Sequence, residues 1–322
     1  MTPLTPREII AKAWTITKKE RQVRRWGYVA SIAETLLNLK LLIYQVWFLI
    51  SYLQGDPIGF FTVEATLMDY VPFWLFMTFI ITLIVLLIIE WLFPHLAKGA
   101  IIGLAAKSYK KEEVKGGLVF AVYNFFPIFA IHEMFFLGRL TVVITISSLL
   151  LRYGGAIAPI AIGILVIAYI ASNIFAFFCV FAEEAVVIYR DDDNNRIGVG
   201  RALKQSFKLV ISYLGHIVFL MLLSFIIILR VILNFIIVFL IPGAIIAIVF
   251  IFSLVLPAIA AWIIGGICGI VLIGVASYFF AYLAVFKQSV WTITYMELEK
   301  MKDLDVIEIG DTEPLQKNAS IQ

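Results

Sequence analysis

Charged side chains are scarce in this sequence. Lys, Arg, Asp and Glu make up 15% of 322 residues, where a soluble domain carries about 25%. That leaves too little polar surface to coat a water-soluble globule of this size, and the class is excluded. Cysteine is almost missing: Cys179 and Cys268 both sit inside apolar runs, so neither a disulfide framework nor a C-x-x-C site can be built. The three histidines, His95, His132 and His216, are scattered, and no H-E-x-x-H spacing occurs. The sequence has no P-loop, no G-x-S-x-G and no G-x-G-x-x-G after a strand. The acidic turn at 191–195 fails as a calcium loop, because Arg196 stands where the loop needs glycine and Ala202 where it needs a bidentate Glu. These absences point away from an enzyme, a metal site and any cofactor. The first 26 residues also lack the apolar core of a signal peptide, so the first span is expected to direct insertion itself.

What is present is apolar: 62% of the residues are hydrophobic and the mean hydropathy is +1.01. The reading is an all-α, polytopic transmembrane helical bundle. Thr5, Pro6 and Glu8 supply an N-cap, a first-turn proline and a first-turn acid, and Ile9, Ile10, Ala13, Trp14 and Thr17 follow on one face. That pattern predicts an interfacial amphipathic helix within a cytoplasmic segment 1–26. Residues 27–94 read as a transmembrane hairpin, with spans at 27–53 and 70–93, each able to cross about 30 Å at about 1.5 Å per residue. Residues 95–190 and 191–300 read as two internal repeats, in which Gly117 matches Gly200 and Arg139 matches Arg230. The apolar stretch 139–151 is too short to span, and 231–256 is long enough to cross, re-enter or lie in the interface. Residues 301–322 read as a disordered tail.

Lys and Arg fall in four blocks: seven in 1–26, five in 94–116, five in 183–208 and four in 287–322. Only Lys40, Arg139, Arg152 and Arg230 lie elsewhere. If all four blocks are cytoplasmic, the number of crossings between them is even, which gives about six spans with both termini inside, whereas a crossing by 231–256 alone gives seven spans and an external tail. The basic blocks border spans, where lipid headgroups and topology account for them, so membrane lipids are the expected partners, beside an unidentified membrane protein, and nucleic acid is not.

Ionisable residues at membrane depth are functional suspects. Glu34 and Lys40 point to different faces of one helix. Glu90, Arg139 and Arg152 lie near expected span ends, where long side chains reach headgroups. His132 and Glu133 are the sharpest pair, late in an apolar helix with Asn124 and Pro127; the bland alternative puts them at the outer headgroup boundary. With Arg139, Arg230 and Glu34 they form the candidate intramembrane polar site.

The stretch 181–210 ends a span in aromatics, turns through acidic residues and continues as RALKQSFKLV. It resembles uncharacterised six-helix prokaryotic membrane families that include the membrane domain of some glycerophosphodiester phosphodiesterases. Their AL..S..L motif corresponds to Ala202, Leu203, Ser206 and Leu209, and their T..Y..L ending to Thr292, Tyr295 and Leu298. The resemblance implies an integral module of the prokaryotic cytoplasmic membrane without catalytic residues. The leading expectation is a non-catalytic scaffold or lipid- and partner-contacting bundle, with Ser206, Gly200 and Ala202 fixing an elbow at the inner surface. The rival is a transporter or lipid-handling protein with its site between the repeats.

Overall fold

The computed structural model describes residues 4–55, 68–69, 71–189, 197–223, 236, 240–241 and 243–304. Among them are helices and turns but no strand. The helices are α1 (Pro6–Lys19), α2 (Arg21–Gln54), α3 (Phe73–Tyr109), α4 (Gly117–Met134), α5 (Leu140–Tyr153), α6 (Ala158–Phe178), α7 (Ala182–Ile188), α8 (Val199–Ser212), α9 (Leu214–Leu223), α10 (Gly243–Ser253) and α11 (Ala258–Leu304). Among the described residues, five helical stretches are long and apolar enough to cross a membrane: Arg21–Gln54, Phe73–Tyr109, Gly117–Met134, Gly155–Ile188 and Ala260–Met301. Their apolar side chains mostly face outward, Trp74, Phe126, Ile167 and Ile270 among them, a surface that needs lipid rather than water.

The capping box forms at the start of α1: Thr5 Oγ1 accepts from Glu8 N–H, and Thr5 N–H donates to the Glu8 carboxylate at 2.8 Å. That backbone hydrogen bond holds the Glu8 carboxyl below its ordinary range. The apolar face of α1 does not lie on lipid, however. Ile9, Ala13 and Ile16 are buried with Val290 and Ile293 of α11 and Leu220 of α9, so another helix occupies the face expected to meet the interface. Trp14 stays half outside, edge-on to Phe286.

Two helices run past their expected ends. α3 continues through Pro94 to Tyr109, so 94 is not a boundary. Proline removes one hydrogen bond from the ladder, but in an apolar setting every other backbone group keeps its partner only by staying helical. α11 likewise continues beyond residue 300, the expected end of the second repeat, to Leu304. Residues 301–304 therefore belong to this helix, and 305–322 lie outside the described residues, as do the turn at 190–196 and Arg230.

α2 and α4 flank α3. Gly99 and Gly103 let α4 approach closely: a Cβ at Gly103 would stand 2.4 Å from the Phe120 ring, and one at Gly99 would stand 2.9 Å from the Phe120 carbonyl oxygen. α5 is short, as its length predicts, and meets α2 where Gln45 Nε2 donates to Thr145 Oγ1 at 2.5 Å. α10 runs antiparallel to α11, with Ile245 beside Gly269 and Val249 beside Gly265.

The largest buried core joins α7, α8 and the last third of α11: Phe181, Ala185, Ala202, Leu209, Trp291, Tyr295 and Leu298. Ser206 stitches the bend between α6 and α7, its hydroxyl accepting from Phe181 N–H at 3.0 Å and donating to Phe178 O at 3.1 Å. Ala202 is fully buried beside it. Gly200 is exposed, and a Cβ there would meet nothing within 4 Å, so it takes no part in fixing this elbow. Gly117, its expected repeat partner, is instead packed against the Trp26 indole.

Candidate functional site

Ionisable side chains from α3, α4, α7 and the turn after α4 meet inside the bundle. α3 contributes His95 and Lys98 one turn apart, which places both on one helix face. α4 contributes His132 and Glu133 from its last turn, and α7 contributes Glu183 and Glu184 from its first. Arg139 caps α5 and folds back on the end of α4.

The contacts run in sequence through the cluster. Arg139 Nη2 donates to Glu133 Oε1 at 2.6 Å and to the His132 carbonyl at 3.3 Å. Glu133 Oε1 lies 3.7 Å from His95 Nε2. The His95 and His132 rings are 4.4 Å apart between centroids, and His132 Nδ1 lies 3.6 Å from Glu183 Oε1. Lys98 forms an ion pair with the same Glu183. Behind it, Gln288 Nε2 of α11 donates to Glu184 Oε1 at 2.6 Å. His95 and Glu184 are buried, while His132, Glu133, Lys98 and Arg139 are half-buried at the rim. Phe129 walls the cluster off, edge-on to both His95 and Trp91.

Two polar atoms here have no hydrogen-bond partner among the described residues, Arg139 Nε and Glu184 Oε2. Thr292 Oγ1 is also buried without one. Thr292 is four residues from Gln288 and three from Tyr295, so it shares the face of α11 that meets α7. No group of three or more His, Cys, Asp and Glu among the described residues has the arrangement of a metal site.

Of the residues expected to form the site, His132, Glu133 and Arg139 come together. Glu34 does not join them; its side chain is exposed on α2. Arg230 lies outside the described residues. Arg152 stacks over the Phe48 ring, its guanidinium 3.0 Å from the centroid. Glu90 is buried and pairs with Lys40 rather than reaching for headgroups. Sequence reading missed His95, Lys98, Glu183 and Glu184. The signal available was spacing: His95 and Lys98 share a helix face only if the helix continues past Pro94.

The motif residues of the two halves also converge. Ala202, Ser206 and Leu209 of α8 and Thr292, Tyr295 and Leu298 of α11 are all buried, and Leu203 packs on their core. Gln205 Nε2 donates to Tyr295 Oη at 3.1 Å, and Tyr295 donates in turn to Glu299 Oε1 at 3.3 Å.

Fold and site together define a helical protein with the surface of a membrane bundle and a charged interior. No protein-family model, no curated protein and no solved structure matches the chain.

Proposed function

We propose that this is a six-span protein of the prokaryotic cytoplasmic membrane that transports or handles a small polar ligand or lipid headgroup at the α3, α4 and α7 cluster, without covalent catalysis. The observation that carries the reading is the cluster itself: six ionisable side chains in mutual contact, five of them within candidate spans. A bundle whose work is packing alone gains nothing from this. Replacing a buried ion pair by well-packed apolar residues is neutral or stabilising by about 1–4 kcal/mol, so keeping charges in such a setting argues for use. A pure scaffold is therefore the weaker reading.

Six crossings are supported by the meeting of α1 with Val290 and Ile293 of α11. With both at one end of the bundle, the crossings between them are even in number. Five candidate spans leave one outward passage to find, and α10, antiparallel to α11, supplies its direction. The basic blocks at that end support a cytoplasmic location for it. The two-repeat reading rests on the order of features along the sequence, not on the surroundings of Gly117 and Gly200. The likeness to the six-helix prokaryotic families rests on the sequence positions Ala202, Leu203, Ser206, Leu209, Thr292 and Tyr295.

The test is growth of a deletion strain under membrane stress, with lipid profiling, rescued by the wild-type gene or by a His132→Ala, Glu133→Ala variant shown to insert and fold. The variant is expected to fail at rescue. Full rescue would return the scaffold reading to first place.

A further inference from the structure

Among the described residues, the charges of the cluster do not cancel. Lys98 and Arg139 stand against three carboxylates, Glu133, Glu183 and Glu184, so with both histidines neutral the cluster carries one net negative charge. At the buried end of the cluster, around His95 and Glu184, an unbalanced charge is costly, and a single bound proton removes it. The two imidazoles, 4.4 Å apart, cannot both take one, because adjacent like charges oppose each other. Glu184 is the other place for it: one carboxyl oxygen accepts from Gln288, and the second is buried with no partner among the described residues.

We propose that the cluster holds one exchangeable proton, shared between the His95 and His132 pair and Glu184 by way of Glu183, and that this proton is the coupling ion of the transport reading, on which the second clause rests. The groups facing it are His95 and Lys98 of α3, His132 and Glu133 of α4, Arg139 of the following turn, Glu183 and Glu184 of α7, and the neutral Gln288 and Tyr295 of α11. The proton adds to an imidazole nitrogen or a carboxylate oxygen and leaves the other unprotonated, so the count stays at one.

The experiment is a pH titration of the histidine ring nitrogens by NMR, on the full chain in lipid nanodiscs with His216→Asn to clear the third signal. Wild type is expected to place no more than one imidazolium on His95 and His132 together. Glu184→Gln removes the negative charge that the proton balances and is expected to move the midpoint down by about one pH unit or more. Lys98→Met removes a positive charge and is expected to move it up by a similar amount. Glu184→Asp keeps the charge and is expected to titrate as wild type, which separates electrostatics from damage to the fold. An unchanged midpoint in Glu184→Gln, shifts of the same sign in the two charge variants, or two imidazolium ions forming in one step would each overturn the proposal. The readout needs no substrate, so it stands apart from the rescue assay.

Discussion

Lys40 and Glu90 form a bidentate ion pair across α2 and α3, with Nζ 2.7 Å from both carboxylate oxygens. Glu90 is halfway along α3, and Lys40 is about 28 Å from the start of α2 at 1.5 Å per residue, so the pair sits deep in two candidate spans. Glu90 can be that deep only because α3 does not stop at Pro94.

The first prediction concerns this pair. Lys40→Met leaves a buried carboxylate without its cation and is expected to cost about 3–5 kcal/mol, whereas Lys40→Met with Glu90→Met restores most of the loss. Thermal unfolding of the purified protein in detergent measures both. Equal losses in the single and the double variant would contradict a paired, desolvated Glu90.

The α3 and α4 seam gives the second. At Gly103 a side chain would meet the Phe120 ring base at 2.4 Å, so Gly103→Leu is expected to force the helices apart at a cost of about 1–3 kcal/mol. Phe120→Ala should relieve part of that cost in the double variant. A Gly103→Leu protein as stable as wild type would mean that the helices are not in this contact.

Ser206 and Gly200 make a contrasting pair for the third. Ser206→Ala strands the buried Phe181 N–H and should lower stability by about 1–3 kcal/mol. Gly200→Ala fills open space in a helix and should be neutral or stabilising by up to about 1 kcal/mol. The same detergent melts decide it, and a reversed order would sink the assignment of Ser206 as the stitch of the bend.

Much of the fold was legible because hydropathy and helix length are local properties. Thr5 and Glu8 announced the start of α1, and the length of 139–151 announced a helix shorter than the five candidate spans. The apolar partner of α1 was not legible: Ile9, Ala13 and Ile16 form a stripe that suits lipid and a neighbouring helix equally well, and α11 took it. The motif positions on α8 and α11 could be matched to a family pattern, but not to each other, since Ser206 and Tyr295 are brought together by long-range packing.

By itself the sequence determined that this chain is helical and dressed for lipid, because a run of apolar residues sets length and surface without reference to the rest of the fold. It also supplied His132, Glu133 and Arg139, which lie within eight residues of one another. Only the tertiary structure decided that His95, Lys98, Glu183 and Glu184 complete their cluster and that Glu90 answers Lys40. Those partners come from helices far apart in the chain, and the energy of a charge away from water depends on which neighbour reaches it in space.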